Sequence, residues 1–144
     1  ALETSIQITL TELNENLREI YTEAYTDPQV SEYIYRKTAV ELYRIFGSYL
    51  PQCREADFFE LEIGTAGIMR AYMTKQCDCY FTLKRKLKRF LTMSLGAYNV
   101  PKEKQEEVIA QVLQMDIIAT ANAVMQRLFA ALEMKYDFVL AEQQ

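Results

Sequence analysis

Apolar residues recur at three- and four-residue steps through most of this chain. From Thr4 to Thr26 the series is Ile6, Leu10, Leu13, Leu17, Ile20, Tyr21 and Ala24, with Asn, Glu and Arg between them, which predicts one amphipathic helix. "TDPQ" then supplies a stop and a new start, with Asp27 as N-cap and Pro28 at the first helical position. A second helix is expected to run to about Tyr49 on Val30, Tyr33, Ile34, Leu42, Ile45 and Phe46, and Pro51 breaks it. The pattern resumes from Phe58 to Ala97, too long for one globular helix, and a break is expected near Gln76 to Tyr80.

"GAYNVP" closes that region, and Pro101 opens a last stretch with Glu103, Glu106 and Glu107 where the helix dipole favours anions. An unbroken helix from Lys102 to Leu140 would be ~58 Å long, against a diameter of about 37 Å for a sphere with the radius of gyration expected at this size. A split is expected in "MDIIATANAV", whose Asp116, Thr120 and Asn122 are mediocre helix formers. The predicted architecture is all-α, one domain over residues 1–144. The stripe of the last helix, near heptad spacing, is wide enough for the protein's own core and a second subunit; Met125, Leu128, Leu132, Tyr136 and Val139 are the expected homodimer residues.

Composition narrows the chemistry. Half of the 144 residues are hydrophobic and only 4 are Gly and 3 Pro, which suits an ordered helical domain. The chain has no histidine, which removes imidazole acid–base chemistry, His-activated nucleophiles, imidazole zinc sites and a proximal haem histidine. Its net charge is −4; removing the five positive charges of Lys84, Arg85, Lys86, Lys88 and Arg89 leaves the remainder at about −9, which argues against nucleic acid. No apolar run reaches a membrane-spanning length, and three cysteines without a secretory leader point to the cytoplasm.

Individual motifs read plainly. In a helix Cys77 and Cys79 point about 200° apart, so without unwinding they cannot share a metal ion, and no metal site is expected. In "KRKLKRF" the apolar Leu83, Leu87, Phe90 and Leu91 leave the five charges on a solvated face, with docking to an acidic protein partner as the alternative. Gly64, Gly67 and Ala71 share a face of "LEIGTAGIMRAYM", expected to allow close helix packing or to leave a cavity. Helix faces place Leu42, Ile45, Phe46, Ile63, Ile68, Met69, Met73 and Met125 as apolar walls of a pocket, with Arg70, Tyr72 and Lys75 as its cationic or phenolic end, suited to a carboxylate with a long tail. No carboxylate pair, phosphate loop or nucleophile elbow marks an enzyme.

With "FFELEIGTAGIMRAYMTKQCDCYF" in its middle and "EEVIAQVLQMDIIATANAVMQRLFAALEMKYDFVL" at its end, the chain resembles the non-haem globin sensor domains of spore-forming bacteria. Within them it is most similar to stand-alone sporulation-inhibitory proteins that match the sensor domain of a sporulation histidine kinase. The resemblance implies a globin-like helical fold without haem, a fatty acid in an apolar tunnel, a chloride in a neighbouring polar chamber and dimerisation through the last helices. It also implies inhibition of sporulation by competing with the kinase for signal or partner.

Overall fold

The computed structural model describes the backbone of residues 1–142 and the side chains of residues 1–133. Over these residues the fold is all-α: α1 (Leu2–Leu13), α2 (Glu15–Thr26), α3 (Pro28–Phe46), α4 (Glu55–Thr74), α5 (Leu83–Ala97), α6 (Lys102–Gln114) and α7 (Ile117–Glu142), with a 3-10 turn at Gly47–Tyr49.

The helix expected from Thr4 to Thr26 is two helices. Asn14 sits in extended backbone (φ −147°, ψ 119°), and its side chain accepts a hydrogen bond from the Leu17 N–H at 3.0 Å, so it ends α1 and caps α2. The next junction is as expected: Asp27 accepts from the N–H groups of Gln29 and Val30, and Pro28 opens α3. α4 and α5 are separated by residues 75–82. Asp78 folds that connection by accepting from the N–H groups of Tyr80 and Phe81 at 2.8 and 2.7 Å. Asn99, left-handed at φ 56°, turns the chain after α5 and donates from its side chain to the Tyr49 carbonyl. The split in the last stretch falls at Met115–Asp116, where α6 and α7 meet with a bend of 68°.

α1 is the helix around which the others gather, packing against α2, α4, α5 and α7. It tolerates this because Ser5, Thr9 and Thr11 are small and donate their hydroxyls to carbonyls of their own helix or its cap, so their burial leaves no polar group unmatched. The main core combines Ile8, Phe58, Met69, Met73, Leu87, Phe90 and Leu91. Tyr98 stacks between Phe46 (centroids 4.9 Å) and Phe58 (5.9 Å), joining the ends of α3 and α5 to α4.

Two further sequence expectations are corrected. Lys86 is fully buried instead of sharing the solvated face of its neighbours. Its ammonium donates to Glu12 and to the Lys75 carbonyl and lies over the Phe81 ring, tying α1, the end of α4 and α5 together. Gly64 and Gly67 neither pack against a helix nor border a cavity. Both are exposed, and a Cβ at either would meet nothing within 4 Å.

Candidate functional site

Five helices leave a cavity of about 280 Å³ between them, walled by α1, α3, α4 and α5, with Tyr25 contributed from α2. Its position follows from the inner face of α4, where Phe58, Glu62, Thr65, Ala66, Met69 and Met73 fall at helical spacing and are all buried. α3 supplies Leu42, Ile45 and Phe46, and α5 supplies Phe90, Leu91, Ser94 and Leu95.

Of the expected apolar wall, Leu42, Ile45, Phe46 and Met69 line this cavity. The other four do not. Met73 is buried solid core, Ile68 packs half-buried against that core, and Ile63 is turned outward. Met125 packs beside Leu10, Leu17 and Ala121 in a separate cluster under α7. The expected polar end is placed elsewhere as well. Arg70 and Lys75 are exposed. Tyr72 packs against Phe81 and Phe90 with its hydroxyl on the Met93 sulfur, and what Lys75 contributes is its backbone carbonyl. These side chains follow the outer and lateral faces of α4, where long cationic chains reach water.

The polar end is built around Glu62, only 6 % exposed. Thr65 donates to its carboxylate at 3.1 Å, and the Thr65 and Tyr98 hydroxyls are 2.8 Å apart. Burial pushes the Glu62 carboxyl up to about 7, against which the Thr65 and Tyr98 hydrogen bonds pull only partly. Burial, with the charge of Glu62 adding to it, pushes the Tyr25 phenol up to about 12 and raises that of Tyr98 as well. The Ser94 hydroxyl is shut off from solvent and has no hydrogen-bond partner among the described residues. Glu62 was open to detection in the sequence: it lies four residues from Phe58 and seven from Met69, on the face that those residues bury.

No Lys or Arg side chain lines the cavity; its charged groups are Glu3, Glu41, Glu62 and the Ala1 amino group, whose pKa burial lowers. A larger depression of about 700 Å³ lies between α2 and the end of α4, lined by Glu15, Arg18, Glu19, Glu23, Thr74 and Gln76. It is open to solvent, and it holds none of the expected residues. Cys77 and Cys79 do occupy unwound chain, but among the described residues no three His, Cys, Asp or Glu side chains are grouped to hold a metal ion.

α7 packs on α1 through Ile117 and Ala121, leaving Val124, Leu128 and Leu132 on an exposed stripe with Ile118 and Phe129 beside it. Leu128 and Leu132 of the expected dimer set are therefore outward, Met125 is inward, and Tyr136 and Val139 lie outside the described side chains. No described helix is by itself long and apolar enough to cross a membrane.

Comparison with protein-family models, with curated proteins and with solved structures finds no match for this chain.

Proposed function

We propose that this chain is a non-enzymatic sensor domain that holds a small apolar molecule in the cavity between α1, α3, α4 and α5. The observation that supports this reading best is the cavity itself. At about 280 Å³ it lies just below the usual size range of small-molecule sites, ~300–1,000 Å³, and it is mostly apolar with one cluster of polar groups. Glu62, with its pKa near neutrality, is set to exchange a proton as a ligand enters and leaves.

The wider role is carried by the sequence resemblance alone: a cytoplasmic, globin-like, haem-free domain that pairs with a second copy through α7. It inhibits sporulation by competing with a sensor histidine kinase for its signal or its partner. A fatty acid or other apolar carboxylate is the ligand that resemblance implies, with chloride in a second chamber. In this cavity a carboxylate anion would face Glu3, Glu41 and Glu62, so such a ligand is accommodated as the neutral acid with Glu62 protonated. Organic extraction of the purified, denatured protein is expected to yield a short- or medium-chain apolar molecule that rebinds on re-addition. An empty extract together with no rebinding of any alkyl compound overturns the reading.

A second reading has its own observation. Lys84, Arg85, Lys88 and Arg89 are exposed on α5 and form no ion pair among the described residues, a surface suited to an acidic protein partner. Charge reversal at Lys84, Arg85 and Lys88 separates the two: loss of inhibition with ligand binding intact favours docking.

A further inference from the structure

We propose that the basic side of α5 docks on the acidic face of α2 in a second copy of this chain. This rests on α5 being a docking surface and names the surface it meets. Glu15, Glu19 and Glu23 are exposed at four-residue steps along α2, and with Asp27 they line the depression of about 700 Å³ between α2 and the end of α4. Arg18, the cationic residue of that lining, is already taken up by Glu12 and Glu15, and Asp27 caps α3. Glu19 and Glu23 have no ion-pair partner among the described residues.

The complement lies on α5. Lys84 and Lys88 form one exposed row and Arg85 and Arg89 another, each with its two members one turn apart and none in an ion pair among the described residues. Four residues of helix rise ~6 Å, so a helix laid beside α2 brings both cations of one row opposite Glu19 and Glu23. Their long aliphatic stems let the charged heads reach into the depression. Within one copy this match is not made, since no ion pair joins α2 to α5 among the described residues. Both halves of it are carried by the same chain, which makes a second copy the partner that charge complementarity specifies. The two patches differ, so the copies associate head to tail. Exposed ion pairs are individually weak and are screened beyond a Debye length of about 10 Å at 0.1 M salt. The contact is therefore salt-sensitive, unlike pairing through the apolar stripe of α7.

Sedimentation equilibrium of the full chain at low and at high ionic strength tests this. The association constant between copies is expected to be at least tenfold larger at low ionic strength. Glu19→Lys with Glu23→Lys, and Lys84→Glu with Arg85→Glu and Lys88→Glu, are each expected to abolish that salt-dependent association. Mixing the two variants is expected to restore it, because each then meets the opposite charge. All five positions are exposed, and circular dichroism checks that both variants keep their helices. Wild-type association independent of ionic strength, either variant associating as the wild type does, or two folded variants that stay apart when mixed overturns the inference, while leaving α5 free to dock another acidic protein. If charge reversal on α5 also leaves the proposed inhibition unchanged, the docking reading falls with it.

Discussion

Removing a carboxyl from water favours its neutral form, and this sets the sign of what Glu62 does to stability. Between the ordinary value of 4.5 and about 7 the folded protein keeps a proton that the unfolded chain has released. Stability therefore falls as pH rises through that window and is level above it, by an amount on the order of 2–3 kcal/mol. Glu62→Gln is expected to remove this slope and raise the melting temperature above pH 7 by several degrees, measured by circular dichroism. Glu12 behaves in the opposite way. Burial alone would raise its pKa, but hydrogen bonds from Lys86 and the Cys77 N–H and the charges of Lys86 and Arg18 together lower it. Its contribution is present above about 4.5 and lost as pH falls through the folded value. Lys86→Ala leaves the Lys75 carbonyl without its donor and Glu12 with only the Cys77 N–H and Arg18, and is expected to cost about 1–3 kcal/mol in urea denaturation, whereas Lys84→Ala on the exposed face stays within about 0.5 kcal/mol. Gly67 is a helix-interior glycine with open space beside it, so Gly67→Ala is expected to stabilise by about 1 kcal/mol.

Among the helices, what could be read from the sequence depended on whether a boundary carried its own chemistry. Asp27 with Pro28, Pro51, and the weak helix formers around Asp116 all mark real junctions, and the break between α4 and α5 follows from helix length. Asn14 escaped notice because the three- and four-residue apolar rhythm continues across it from α1 into α2, hiding a single extended residue. Half of the cavity's predicted apolar wall was legible: Leu42, Phe46 and Met69 lie on inner faces that periodicity identifies, and Ile45, itself exposed, lines the cavity beside them. The polar end was legible only through the spacing of Glu62 to Phe58 and Met69. Periodicity ranks residues by hydrophobicity and so passes over a carboxyl such as Glu62 on the inner face, while Arg70 and Lys75 draw attention by their charge and reach solvent. Lys86 was hidden for a related reason: its four charged neighbours face water, and its burial depends on Glu12, 74 residues away in sequence, with the Lys75 carbonyl and the Phe81 ring.

At the scale of the whole molecule, two surfaces lack partners among the described residues: the basic side of α5 and the outer stripe of α7. Leu128→Glu with Leu132→Glu adds charge to positions that are already exposed, so the fold is expected to survive, and the proposed pairing through α7 predicts that light scattering shows the mass halved. A dimeric mass unchanged by the pair would remove α7 from the interface. On the proposed role, a monomeric variant that inhibits sporulation as the wild type does, with ligand binding intact, excludes pairing with the kinase's own sensor as the route. The central claim is that the apolar cavity between the helices, and no external surface, receives the ligand. Octanol titrated calorimetrically into the wild-type chain and into Ala66→Leu, which places extra carbons into the cavity from α4, tests it most directly. Saturable binding at one site, weakened at least tenfold in Ala66→Leu, is the result expected; unsaturable uptake, or equal affinity in the two proteins, would contradict it.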